Sequence, residues 1–173
     1  AMVPAEIVAH ECLAILTTPL LAPFLAFVRQ ADDAWAETLL GELTGRFGWD
    51  VPTVWSVTLN ISQAPSVYRL LMRNEAELKL GELLRTPVTD LPPLSCIPLL
   101  LLREGDAPRL LPGLEEPIRL GDQLLLVGSE TARKDLGLTL FNGHTLKFVL
   151  TGQDLPSGLV WEWLAARRQV RDA

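Results

Sequence analysis

The sequence predicts an α+β protein in which N-terminal helices precede a β-sheet that is packed with further helices. Apolar residues recur at every fourth position from Trp35 to Phe47, which indicates an amphipathic helix. Short runs rich in β-branched and aliphatic residues at 54–59, 97–102 and 123–128 favour strands. With 173 residues, 49% of them hydrophobic and 21% charged, the chain has the composition of a packed globular protein rather than a disordered one.

The first helical part begins with an apolar run over residues 12–28 that carries no charged side chain. At 1.5 Å per residue the run is about 26 Å long, short of the roughly 30 Å thickness of a bilayer core. Pro19 and Pro23 also interrupt it. A soluble helix over 19–28, starting at Thr18 and Pro19 and buried or held in an interface, is therefore favoured over a membrane span.

The other elements follow from caps, prolines and glycines. A second helix opens at Asp32 and Asp33, whose charges suit a helix N-terminus, and stops at Gly48. Further elements are expected in this order: a helix from Pro65, a helix over 78–84, a hairpin returning over 108–111, a helix capped by Ser129 and running to 136, a strand over 145–150, and an amphipathic final helix over 157–169.

Charge and cysteine usage exclude several classes of function. The formal net charge of −6 argues against general affinity for nucleic acid or anionic lipid. Cys12 and Cys96 form no CxxC or Cys/His spacing, so neither a disulfide framework nor a zinc site is predicted. The first ten residues lack a secretory pattern, and a reducing cytosol is the expected compartment.

A glycine-containing motif carries the main indication of family. Residues 120–128 read Leu-Gly-Asp-Gln-Leu-Leu-Leu-Val-Gly, after an apolar strand with a trailing Arg-x-Gly at 103–105 and a Leu-Gly-Glu-Leu segment at 80–83. Gly121 permits a backbone turn, Asp122 is placed to accept N–H bonds of that turn, and Gly128 lets the strand pass into a helix. In this order the segments over 78–136 resemble the TrkA-C lobe of RCK regulatory domains, which control potassium channels and transporters.

The resemblance implies three segments and a regulatory role. Residues 1–50 look like the tail of a TrkA-N lobe with crossover helices, 51–142 like the TrkA-C lobe itself, and 143–173 form an extension that the family pattern does not match. The family implies a non-catalytic, cytoplasmic dimerisation module at the membrane, joined to an upstream TrkA-N lobe and a pore. A homodimer or a higher even oligomer is expected. Because no GxGxxG occurs in the chain, NAD binding by a Rossmann half is not expected.

The predicted dimer interface consists of apolar residues from the first helix and the second strand. A helix that is apolar on nearly all sides needs cover on more than one face, and a partner subunit would supply it. The candidate interface residues are Leu20, Leu21, Phe24, Phe27, Ile97 and Leu99.

The ligand is less well specified by the sequence. Arg103 and Arg119 flank predicted strands, and the resemblance implies that they could meet a phosphate of a cyclic dinucleotide or nucleotide; exposed strand ends are the favoured alternative. The acidic pairs at 32–33 and 115–116 are candidate Ca²⁺ ligands, although helix capping and a solvated hairpin explain them better. No bound cofactor or resident metal is predicted.

Catalytic motifs are missing from the sequence. His10 and Glu11 begin like HExxH but lack the second histidine, and His144 is interpreted as a surface residue near a turn. No GxSxG, GxxxxGK[ST] or Cys/His pair is present, so an enzyme is not predicted. An assembly scaffold that senses no ligand is the main alternative, and a small hydrolase is the weaker one. Of Trp161 and Trp163, one is expected to pack in the core and the other to anchor a contact.

Overall fold

The protein has an α+β fold built on one four-stranded antiparallel sheet. The computed structural model describes residues 18–30, 33–48, 52–73, 77–87 and 93–151. In chain order the elements are α1 (Leu21–Val28), α2 (Asp33–Phe47), β1 (Thr53–Thr58), α3 (Pro65–Met72), α4 (Leu80–Leu83), β2 (Cys96–Leu102), β3 (Arg109–Leu110), β4 (Gln123–Gly128), α5 (Glu130–Phe141) and α6 (Gly143–Thr151). The strand order is β1-β4-β2-β3.

The centre of the sheet is formed by β4 and β2, and residues 124–127 of β4 and 99–102 of β2 are all aliphatic. Residues 124–127 of β4 are all buried, and β2 is buried from Cys96 to Leu101. The strand β2 is therefore covered on both faces, as is typical of an unbroken apolar strand. The register of β2 against β4 shifts between Pro98 and Leu100, as expected where a proline lacks the N–H that a regular ladder needs.

One face of the sheet is covered by α3, α4, α5 and α6. Leu59, Leu101 and Leu126 from this face pack in one cluster with buried helix residues such as Leu83 and Leu136. Among the described residues, this cluster is larger than the one on the opposite face. Its strands are therefore held by helices that follow β1 in the chain.

The opposite face is covered by the N-terminal helices. Leu20 and Phe24 pack against Leu99 and Val127 of the sheet, with the half-buried side of α2 alongside. Phe24 makes an edge-to-face contact with Trp35 at a centroid distance of 6.3 Å. Residues from the predicted 1–50 segment therefore share a core with strands from the predicted 51–142 segment.

Several predicted elements are confirmed. The apolar stripe of α2, from Trp35 to Phe47, packs against the sheet, and Gly48 follows it in the left-handed region with φ +60°. The Ser129 hydroxyl accepts a hydrogen bond from the Ala132 N–H at 3.0 Å, which caps α5. That helix continues to Phe141, five residues past the predicted end.

Two helices start or end away from their predicted positions. The helix α1 begins at Leu21, and it is the Thr18 carbonyl that accepts the Leu21 N–H, without a side-chain cap at Leu20. The helix α4 is only four residues long. Lys79 is extended and forms a β-bridge with Pro117, so a nonlocal pairing displaces the first turn predicted over 78–84.

The strand predicted over 145–150 is wrong, because this segment is part of the helix α6. The Asn142 side chain accepts the His144 N–H at 2.9 Å, and its carbonyl accepts the Leu146 N–H, so the segment starts with a capped turn. Leu146 and Val149, three residues apart, are then buried on one helix face. Packing of this face outweighs the β propensity of the threonine and valine. His144 is exposed, as predicted.

Some predictions fall outside the described residues. They concern His10, Glu11, Cys12, Asp32 and the final helix over 157–169 with Trp161 and Trp163.

Candidate functional site

The turn before β4 has the geometry that its sequence predicts. Gly121 lies in the left-handed region with φ +84°, where a side chain would be strained. Asp122 is fully buried, and its Oδ2 accepts the Arg119 N–H at 2.8 Å. The end of β1 holds the turn from the other side, because Leu59 donates to the Asp122 carbonyl and accepts the Gly121 N–H.

Arg103 and Asp122 form a buried two-point ion pair. The Arg103 Nε donates to Oδ1 and Nη2 donates to Oδ2, each at 2.8 Å, and Nη2 also reaches the Pro117 carbonyl at 2.8 Å. The Arg103 side chain is only 9% exposed. The hydrogen bonds to Asp122 raise the pKa of Arg103 above its ordinary value, so this guanidinium stays charged at any pH at which the protein folds.

The ion pair extends into a network along the β2–β3 hairpin. Arg103 Nη1 lies 3.5 Å from a carboxylate oxygen of Asp106 and 3.6 Å from one of Glu116. Glu116 also bonds to Arg109 on β3. The hairpin and the segment that leads into β4 are therefore joined by alternating charges that are largely shielded from water at Arg103 and Glu116.

Gly128, the last residue of β4, allows a close approach between strands. A Cβ at this position would lie 2.6 Å from the Ser95 carbonyl oxygen and 2.6 Å from the Cys96 Cβ. The Ser129 N–H then donates to the same Ser95 carbonyl at 3.0 Å. Absence of a side chain at 128 lets the chain leave the sheet and enter α5.

The two arginines proposed as ligand contacts lie in different surroundings. Arg103 is committed to Asp122, Pro117 and the neighbouring acids, so it is not the exposed strand end that the alternative prediction described. Arg119 is exposed, and its backbone rather than its side chain holds Asp122. Of the two, Arg119 has the accessible guanidinium.

The acidic pair at 115–116 is engaged in local interactions. Glu115 pairs with Lys79 at 2.7 Å; this contact lowers the pKa of Glu115 and raises the pKa of Lys79. Glu116 belongs to the network around Arg103, and Asp33 opens α2. Within the described ranges, no group of three or more His, Cys, Asp or Glu side chains is placed to hold a metal ion.

The residues proposed for a dimer interface lie in or against the core formed with α1 and α2. Leu20, Phe24, Ile97 and Leu99 are buried there. Leu21 and Phe27 are partly buried against the same cluster. We expected a partner subunit to cover α1. For these residues, the sheet of the same chain supplies that cover.

A groove of about 260 Å³ lies between α5 and β1, which is an edge strand of the sheet. One wall is β1 with Trp55 and Ser56, and the other is α5 with Arg133, Gly137 and Phe141. Sequence reasoning did not find this groove, because its walls are 70 or more residues apart in the chain. It also missed Asp106 and Glu116 as partners of Arg103; their only sequence signal was the acidic character of the hairpin.

Comparison with protein-family models, with curated proteins and with solved structures finds no match to this chain. Among the helices of the described residues, none combines the length and apolar character needed to cross a membrane.

Proposed function

We propose that this chain is a non-catalytic regulatory and dimerisation module of a potassium channel or transporter, acting on the cytoplasmic face of the membrane. One observation carries the proposal. The two separated parts of the family-like pattern, the Arg-x-Gly at 103–105 and the Gly-Asp at 121–122, meet in the fold through the buried Arg103–Asp122 pair. This contact explains why both parts occur together, and it supports reading them as one motif.

The proposed mechanism is mechanical. Two lobes pair in a homodimer or higher even oligomer, an upstream TrkA-N lobe connects them to the pore, and a ligand favours one arrangement of the paired lobes over the other. The charge network ties the β2–β3 hairpin to the turn before β4, so this part of a lobe would move as a unit. A phosphate-bearing ligand, such as a cyclic dinucleotide, would meet Arg119 rather than Arg103.

The experiment combines molecular mass with thermal stability. Multi-angle light scattering on the full chain is expected to give an even multiple of 19.1 kDa. Melting is then followed with cyclic di-AMP, cyclic di-GMP, ATP or Ca²⁺. A ligand at 100 times its Kd stabilises the folded state by about 2.7 kcal/mol, which corresponds to roughly 5–10 °C for a protein of this size.

A matched pair of variants locates the ligand. Arg119→Ala should remove the shift given by a phosphate ligand, whereas Arg85→Ala, at another exposed arginine, should leave it unchanged. An even oligomer that none of the four compounds stabilises would favour the scaffold alternative. A monomer at all concentrations would refute the dimerisation module, and turnover of a test ester would favour the hydrolase.

A further inference from the structure

The outer edge of β1 exposes a short stretch of unpaired backbone. Leu59 exchanges backbone hydrogen bonds with the turn before β4, at 2.8 and 3.0 Å. The backbone N–H and C=O groups of the odd-numbered residues in this strand therefore point toward β4, and those of the even-numbered residues point outward. The Thr58 N–H is taken by the Gln63 side chain at 2.7 Å, and its carbonyl by the Asn60 N–H. Pro52 has no N–H.

Only Val54 and Ser56 therefore keep an outward N–H and C=O that no described residue pairs with. Two such residues offer four hydrogen bonds, the number that about three residues of an added strand can use. The groove volume of about 260 Å³ has room for the side chains of a similarly short segment. The free edge and the groove are thus both of a size for one short segment.

The groove supplies side-chain contacts beside this edge. Trp55 is 7% exposed and lines the groove, and its indole N–H has no hydrogen-bond partner among the described residues. Leu140 and the 60%-exposed Phe141 give the opposite wall an apolar surface. Arg133 is the charged side chain in the lining; its contact to Glu130 at 3.6 Å is exposed and leaves the guanidinium accessible.

We propose that this groove binds an extended peptide as an added strand on β1, with an apolar side chain against Phe141 and a carboxylate next to Arg133. Charge complementarity favours an acidic peptide over a second copy of the chain. The strand that a second copy would insert, Thr53–Thr58, contains no acidic residue, so it would bring Arg133 no carboxylate beyond the exposed one of Glu130. The inference concerns a surface separate from Arg119 and does not depend on the regulatory function proposed above.

The test begins with panning a phage-displayed random heptapeptide library on the full chain. Enriched peptides are expected to carry an acidic residue within two positions of an apolar one. The best peptide is then synthesised with a fluorescent label and titrated by fluorescence anisotropy. Amide hydrogen exchange should slow at Val54 and Ser56 when the peptide is bound, because the edge N–H groups become hydrogen-bonded.

Two variants separate the groove from the rest of the surface. Gly137→Leu places a side chain in the groove, where a Cβ meets nothing within 4 Å, and is expected to weaken binding at least tenfold. Gly41→Leu, the same change at an open position of α2 on the opposite face, should leave the Kd unchanged. Arg133→Glu should shift the selected peptides from acidic to basic residues.

Three results would overturn the proposal. They are a library that yields no acidic-apolar consensus, a bound peptide whose Kd is the same for Gly137→Leu, and a dimer of the free chain that Gly137→Leu converts to monomer. The last would assign the β1 edge to a second copy. Circular dichroism of Gly137→Leu checks that α5 is retained, which a change from glycine to leucine favours in a helix.

Discussion

Removal of the Asp122 carboxylate is the most direct test of the charge network that links β2 to the turn before β4. In Asp122→Ala, Arg103 loses two charge-assisted hydrogen bonds of 2.8 Å, and the Arg119 N–H loses its acceptor. Charge-assisted bonds contribute about 1.5–3 kcal/mol each, and breaking a buried pair from one side typically costs about 3–5 kcal/mol. Asp106 and Glu116 remain near Arg103 and offset part of the loss.

We therefore expect Asp122→Ala to lower the free energy of unfolding by about 3–5 kcal/mol, a large share of the roughly 5–15 kcal/mol that stabilises a typical domain. Guanidinium denaturation followed by tryptophan fluorescence measures this loss of unfolding free energy. The slope m of that free energy against guanidinium concentration should stay unchanged if the transition remains two-state. The matched control is Glu115→Gln, which breaks an ion pair in solvent and should move the midpoint far less.

A double variant tests the physical reason for the loss. Arg103→Met with Asp122→Leu removes both charges, so no buried charge is left unpaired, and it should be more stable than Asp122→Ala. The reasoning fails if Asp122→Ala is no more destabilising than Glu115→Gln. It also fails if the double variant loses the sum of the losses measured for Arg103→Met and Asp122→Leu separately, because partners in one ion pair must be coupled.

Three further substitutions probe packing, proton binding and an unpaired hydroxyl. Gly128→Ala should destabilise by about 1–3 kcal/mol in urea because its Cβ meets the neighbouring strand at 2.6 Å, whereas Gly45→Ala on α2, with open space around it, should be neutral or stabilising. Burial raises the pKa of Cys96 from 9.0 to about 11. The stability that depends on the protonated thiol is therefore complete below pH 9 and is lost as pH rises to 11. Cys96→Ala should lack this loss of about 2–3 kcal/mol in a pH series of unfolding curves. Ser66→Ala should leave the melting temperature unchanged or raise it, because the buried hydroxyl has no partner within the described residues; a fall of several degrees would show that the hydroxyl is paired.

The local sequence was sufficient for elements whose signals lie within a few residues. The helix α2 has a regular apolar repeat and a glycine stop, and the strands β2 and β4 are aliphatic runs bounded by turns. Asp122 and Gly121 specify the turn before β4 because glycine tolerates a positive φ and the carboxylate satisfies a nearby N–H. Such features depend on backbone sterics and on neighbours in sequence, so the pattern of residue types reveals them.

Partners distant in sequence were decided only by the tertiary structure. The segment over 145–150 has strand-forming residues but becomes a helix because one of its faces fills the core under the sheet. Arg103 looks like an exposed strand end until the fold brings Asp122 and Pro117 to it from 14 or more residues away. The groove between β1 and α5 likewise exists only once the strand order leaves β1 at the edge of the sheet. The physical reason is the same in each case: burial and charge pairing depend on which surfaces meet, and the residue types along the chain do not by themselves specify those meetings.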